Sequence, residues 1–148
     1  NLIILGEFET KEFELKVNSM IDNSNNKIWL EGWKDDIRPY LFISDCFILP
    51  SYREGFPNVL LQAGAMKLPS IVTNVPGSNE IIINNHNGWI CNSKSSKDLG
   101  ILINRVVSMS KSELAEIGIR ARKNVEKKYE KTNYQKQLIE FYNQIQTK

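Results

Sequence analysis

Residues 50–63 read PSYREGFPNVLLQA and follow directly on a hydrophobic run, CFILP (Cys46–Pro50). Glu54 stands beside Gly55, Phe56, Pro57 and Asn58, and an apolar helical pattern begins at once. Two kinds of chemistry suit these residue types at this spacing. A carboxylate carries a charge and several acceptor lone pairs, so Glu54 can take two hydroxyl hydrogen bonds from a polyol. If a helix begins around Pro57, proline fits its first turn, because the N–H it lacks would have had no partner there. The amides of Asn58, Val59 and Leu60 then point outward with the positive end of the helix dipole. They favour an anion such as a phosphate, without a metal. Gly55 lets a ligand approach the backbone closely. An anion-binding helix start next to a hydroxyl-binding acid suits a phosphorylated sugar. The competing reading makes Glu54 a cap for its own helix.

Such a loop needs elements to hold it. LIIL (Leu2–Leu5) reads as a strand, and TKEFELKVNSMID (Thr10–Asp22) carries Phe13, Val17, Met20 and Ile21 at helical spacing. A polar Ser24-Asn25-Asn26 turn leads to a second strand in KIWLEGW (Lys27–Trp33). Asp35 or Asp36 caps a helix with Ile37, Tyr40, Leu41 and Phe42 on its apolar stripe. CFILP is the third strand. Val59, Leu60, Ala63 and Met66 mark the next helix, which stops near Lys67-Leu68-Pro69. SIVTNV (Ser70–Val75) and GWIC (Gly88–Cys91) complete the strands. Beyond Cys91 only helical patterns remain. The first starts near Ser95 with Leu99, Leu102, Ile103, Val106 and Val107. The second is opened by Ser112 and Glu113, with Leu114, Ile117 and Ala121. The last runs from about Thr132 with Tyr134, Leu138, Phe141 and Ile145. Helices between consecutive strands imply parallel crossovers. The fold class is α/β, a Rossmann-like doubly wound parallel sheet with a helical C-terminal tail. Ligands of such sheets bind outside the carboxyl ends of the strands, which is where the Glu54 loop falls.

The bulk numbers fit one domain over residues 1–148, with 41% hydrophobic and 24% charged residues. A net charge of +2, with both signs interspersed, argues against nucleic acid as a partner, since backbone binding needs a concentrated basic face. Cys46 and Cys91 each lie in an apolar stretch and read as buried, reduced thiols. No apolar run approaches the ~20 residues that span a bilayer, and no signal peptide is visible, so a cytoplasmic protein is expected. The chain opens on Asn1 rather than Met, which suits a piece of something longer. His86 sits in an Asn-Asn-His-Asn-Gly turn and reads as solvated. With no second histidine or cysteine cluster, no metal is expected. The basic run Arg120–Lys131 reads as a solvated helix face, with weak association to a membrane surface as the alternative.

The run PSYREGFPNVLLQAGAMKLPSIVTNVPGSNEII, followed by NGWIC, resembles the donor-binding half of family-four glycosyltransferases with the GT-B fold. The likeness is greatest to bacterial enzymes that build capsular and O-antigen polysaccharides. It extends from LIILGEFE through EGWKDDIRPYLFISDCFILPSY to the helical tail. By this resemblance the catalytic candidate is Glu54, on hydroxyls of the donor sugar, orienting it rather than acting as nucleophile. The backbone around Gly55, Phe56, Pro57, Asn58, Val59 and Leu60 would face the sugar and diphosphate. The family's second glutamate, eight positions on, holds the ribose hydroxyls; this chain has Gln62 there. An amide oxygen still accepts from a hydroxyl but loses the charge-assisted part of the bond, ~1 kcal/mol. Trp33 to Ile37 resembles the nucleobase-facing edge, with Trp33 either stacking on a base or packing within the protein. Gly77, Ser78, Asn79 and Glu80 would line the same crevice, with helix capping the other reading for Glu80.

The resemblance also implies what lies outside this stretch. It implies an N-terminal acceptor-binding domain and a first, central strand of this domain, in the order 3-2-1-4-5-6. LIIL would then close against CFILP, or a second copy of the chain would fill the gap. The fragment alone would not turn over. Its parent would be a retaining, metal-independent hexosyltransferase with no cofactor. The donor would be a nucleotide diphosphate sugar, a UDP-sugar foremost, and the acceptor a glycan or lipid-linked glycan at the inner face of the membrane. A non-catalytic nucleotide-sugar-binding module and a sugar-nucleotide epimerase of the same fold are the alternatives. A dehydrogenase is disfavoured because no G-x-G-x-x-G follows a strand.

Overall fold

The computed structural model describes residues 1–25 and 27–146, so the Asn26 end of the predicted polar turn lies outside the described residues. Two compact units divide the chain, Asn1–Ile37 and Arg38–Lys148.

The first unit is a βαβ element. Strand β1 (Leu2–Ile4) leads into helix α1 (Lys11–Asp22) and strand β2 (Ile28–Leu30). The strands pair in parallel, Leu2 with Ile28 and Ile4 with Leu30. Helix α1 starts where its sequence says it should: Thr10 is extended, and its hydroxyl accepts from the Phe13 amide at 3.3 Å. The predicted apolar stripe is only half used. Val17 and Ile21 are half-buried, but Phe13 and Met20 face solvent and α1 buries no residue fully.

The second unit contains the core. Helix α2 (Arg38–Ile43) precedes strand β3 (Phe47–Leu49), followed by helix α3 (Asn58–Ala65) and strand β4 (Ser70–Thr73). A one-turn helix α4 (Ser78–Ile81) and strand β5 (Gly88–Cys91) come next. Helices α5 (Ser96–Val107), α6 (Lys111–Tyr129) and α7 (Lys131–Gln146) close the chain. Strands β3, β4 and β5 form a parallel sheet in that order. Side chains alternate across it, as the two-residue period of a strand requires. Ile71 and Trp89 point to the face covered by Leu102 and Val106 of α5 and Leu114 and Ile117 of α6. Val72 points to the other, against Leu60 of α3 and Ile81 of α4. Because both faces are covered, all of β4 is buried and its sequence carries no polar alternation. Leu60 is 1% exposed, and burying such a side chain contributes ~1.5–3 kcal/mol.

Several expectations are corrected. The strands form two sheets, β1-β2 and β3-β4-β5, where one doubly wound sheet is expected from the sequence; β1 pairs with β2, and β3 with β4. On α2 only Leu41 is buried; Phe42 is 81% exposed. The cap of α6 is Ser110, not Ser112. Its hydroxyl accepts from the Glu113 amide, and the Glu113 carboxylate is bonded to the Ser110 hydroxyl at 2.7 Å and accepts from the Ser110 amide at 2.8 Å; the hydroxyl first and the amide second hold that carboxyl below its ordinary titration range.

The basic run is also not a plain solvated face. Arg122 donates to the Ala65 carbonyl at the end of α3, Arg120 to that of His86, and Asn124 to that of Ile81 at 3.0 Å. Glycine lets α6 come this close: a Cβ on Gly118 would overlap the Lys67 carbonyl oxygen, and one on Gly64 would stand 2.8 Å from Val125. Helix α6 thereby packs closely on the C-terminal end of α3.

Candidate functional site

The Glu54 loop leaves the carboxyl end of β3 and is fastened to β4 through a two-step relay. Thr73, the last and fully buried residue of β4, donates its hydroxyl to the Ser51 carbonyl. Ser51 in turn donates its hydroxyl to Glu54 Oε1 at 2.5 Å. Glu54 is half-buried. It does not cap α3, which has no side-chain cap at all, so that competing reading is not realised. One hydroxyl bond leaves a carboxylate with ample acceptor capacity for more.

Pro57 is the buried N-cap residue, extended at φ −78° and ψ 95°, and the helix begins one residue later than expected, at Asn58. Proline has no side-chain acceptor to offer, which is why the cap is missing. Of the amides expected to be free, Leu60 is not: it donates to the Pro57 carbonyl at 3.0 Å, a tightened first turn. Among the described residues, the amides of Asn58 and Val59 have no protein acceptor. The start of α3 therefore presents two uncommitted donors, with Asn58 exposed and Val59 half-buried. Gln62 lies exposed on α3, one turn beyond Asn58.

The loop after β4 meets the Glu54 loop. Gly77, at φ +79°, lies against the Gly55 carbonyl and 3.1 Å from Pro57 Cδ, measured from an added Cβ. Glu80 is a cap: its Oε1 accepts from the Gly77 amide at 3.3 Å, in the first turn of α4. The capping reading of Glu80 is thus realised. Ser78 is fully buried behind the loop.

Two residues that sequence reasoning passed over complete the surroundings. The Tyr129 ring packs on the Phe56 ring at 5.6 Å between centroids, and its hydroxyl donates to the Glu80 carbonyl at 3.1 Å. Lys94 stands with its ammonium 5.8 Å from the Tyr52 ring centre, beside a cleft of about 400 Å³ at the carboxyl ends of β3, β4 and β5. Neither carries a local motif that would single it out.

Trp33 and Ile37 belong to the first unit. The Trp33 indole is 71% exposed and its N–H donates to Asp35 Oδ1 at 3.3 Å, which orients an open ring face; Ile37 is half-buried. Among the described residues no cluster of His, Cys, Asp and Glu converges on a metal position, and no helix is long and apolar enough to cross a membrane.

The chain as a whole has known counterparts. The sequence matches the family model for glycosyl transferases group 1 over residues 1–125. It is 34% identical over 116 residues to the UDP-Gal:alpha-D-GlcNAc-diphosphoundecaprenol alpha-1,3-galactosyltransferase of Escherichia coli, covering 78% of this chain and 29% of that protein. It is 28% identical over 142 residues to the capsular polysaccharide biosynthesis glycosyltransferase CapM of Staphylococcus aureus, covering 96% and 37%. Among solved structures, a glycosyltransferase from Rickettsia africae superposes with a TM-score of 0.83 at 26% identity, over 97% of this chain and 39% of that one. Anabaena HepE, solved in complex with UDP, superposes at 0.85 with 19% identity, over 96% and 40%. The chain thus spans about a third of the length of these curated relatives. The family match runs through both sheets and the whole Glu54 loop, and on that ground this chain belongs to the group 1 glycosyl transferases.

Proposed function

We propose that this chain is the donor-binding part of a retaining glycosyltransferase. It would move a hexosyl group from a nucleotide diphosphate sugar, a UDP-sugar foremost, to a glycan or lipid-linked glycan in bacterial surface polysaccharide synthesis. The observation that carries the reading is the uncapped start of α3, where two unpaired amides, Asn58 and Val59, stand beside a carboxylate held by Ser51. Departure of a nucleoside diphosphate builds negative charge, and fixed main-chain donors stabilise it without reorganising as the reaction proceeds. Glu54 would hold the sugar hydroxyls in place, and positioning of that kind supplies much of a barrier reduction. The amide donors and helix dipole do the work a metal would otherwise do, so transfer proceeds without one. Two relatives support the nucleotide: HepE was solved with UDP and with UDP-glucose, and the E. coli relative is named for a UDP-galactose donor.

The acceptor and the rest of the catalytic groups would come from the part of the relatives that this chain does not cover, so residues 1–148 alone bind donor without turning it over. A thermal-shift and ligand-observed NMR panel of UDP-, GDP- and ADP-sugars, run on the full-length protein, tests the assignment. UDP-sugars should bind with no divalent ion present. Absence of binding to every nucleotide sugar would sink it.

A further inference from the structure

The Glu54 loop has no regular structure of its own, so its shape depends on what flanks it. On one flank Thr73 and Ser51 hold Glu54, and Gly77 rests on the Gly55 carbonyl. On the other, Phe56 projects from the loop, 47% exposed, and its aromatic partner is Tyr129. Tyr129 also donates to the Glu80 carbonyl, while the Glu80 carboxylate receives the Gly77 amide. The contacts close into a ring: Tyr129 to Glu80, Glu80 to Gly77, Gly77 to Gly55, and Phe56 back to Tyr129. Tyr129 is the last residue of α6, and the chain turns extended at Glu130 directly after it. The body of that helix is anchored to α3 and α4 by Arg122, Asn124 and Val125, so Tyr129 is presented from a fixed platform. It lies beyond residues 1–125, where the family match ends.

We infer that Tyr129 is a positioning residue for the Gly55–Val59 segment, acting through Phe56, so that the Asn58 and Val59 amides are aimed by a side chain from the far end of α6. This rests on the reading of that segment as the donor site. The hydroxyl of Tyr129 is committed to a carbonyl, so its part is to hold the loop and not to touch the ligand. Hydrogen bonds weaken steeply as they leave the donor axis, so a small turn of the loop costs the anion both contacts together.

The test uses the full-length protein with Tyr129→Leu, Tyr129→Phe, Phe56→Leu and the Tyr129→Leu/Phe56→Leu double variant, in two arms. Amide exchange without ligand should speed up about tenfold at Leu60 and Gly77, whose amides are the hydrogen-bonded ones on either side of the loop, in Tyr129→Leu, with Ile71–Thr73 of β4 unchanged. The affinity for UDP should fall about three- to tenfold, with Tyr129→Phe restoring most of both effects and the double variant no worse than Phe56→Leu alone. Three results overturn the inference: unchanged exchange in the loop; exchange rising equally in β4, which would make Tyr129 a general fold contact; or losses in UDP affinity that multiply in the double variant. If the unmutated protein does not bind UDP, the donor reading falls, and the exchange arm still decides whether Tyr129 positions the loop.

Discussion

Gly77 lies so close to the Gly55 carbonyl that any side chain at position 77 would overlap that oxygen, and its backbone sits at φ +79°. Two strand-end loops are thereby locked together at one point. Gly77→Ala is expected to cost ~1–3 kcal/mol from the left-handed backbone alone, with the overlap adding to it. The same change pushes the Gly55 carbonyl, and with it the loop before α3. Urea denaturation should show the loss, and nucleotide affinity should fall further than stability explains. A variant as stable as the parent, with unchanged affinity, would show that the contact does not hold the loop.

Glu54 and Ser51 form the second lever. Replacing Glu54 by Gln removes the charge-assisted part of its hydroxyl contacts, ~1 kcal/mol for each of two, so transfer by the full-length enzyme should fall about 10- to 30-fold with little change in melting temperature. Ser51→Ala leaves the charge but frees the carboxylate to rotate, and should raise the donor KM with a smaller effect on kcat. Unchanged turnover in Glu54→Gln would remove Glu54 from the site.

How much of this was legible depended on how local each cause was. GWIC read correctly to the residue as β5, since a four-residue run between Asn87 and Asn92-Ser93 has clear ends. Thr10 and Ser95 announced the starts of α1 and α5 through their side-chain caps. The cap of α6 was misread because Ser112 beside Glu113 looked sufficient, while the reciprocal spacing belongs to Ser110 and Glu113. Helix α4 is one turn long, too short to show a period. The division into two sheets and the reach of Tyr129 to Phe56 are pairings between distant residues, and no local pattern encodes them. Of the Glu54 loop, its place between β3 and α3 was legible and its hydrogen-bond state was not: nothing in the sequence distinguishes the paired Leu60 amide from the free Val59 amide.

The thiols predict an alkaline effect. Burial pushes Cys46 up to about 12 and raises Cys91 as well. Above pH 9 the unfolded chain releases these protons while the native protein keeps them, so the native state binds more protons and stability falls as pH rises. Burial raises the Tyr129 phenol too, in the same direction, above its ordinary value of 10.0. Unfolding free energy should therefore decline between pH 9 and about 12, by at most about 1.4 kcal/mol per pH unit for each group. Cys46→Ala should flatten the slope. Native Cys46 should also resist iodoacetamide at pH 8, since the thiolate is the nucleophile. Cys91 is buried as expected and Cys46 only half-buried, so rapid labelling of Cys46 in folded protein, read by mass spectrometry, would contradict its raised titration.

Gln62 offers a test of the nucleotide end of the site. It lies exposed on α3, one turn past Asn58, where a carboxylate would reach the same surroundings as the amide does. A charged acceptor bonds a hydroxyl more strongly than a neutral one, by ~1 kcal/mol, so Gln62→Glu should tighten UDP about fivefold if position 62 meets the ribose. If a diphosphate binds at the Asn58 and Val59 amides, the added charge would stand about a turn from it and oppose part of that gain, an effect that salt screens. The two contributions separate on a ligand without ribose hydroxyls. With 2′,3′-dideoxy-UDP only the repulsion remains, and the variant should bind slightly more weakly than the parent. Equal shifts for UDP and the dideoxy analogue would show that Gln62 makes no ribose contact.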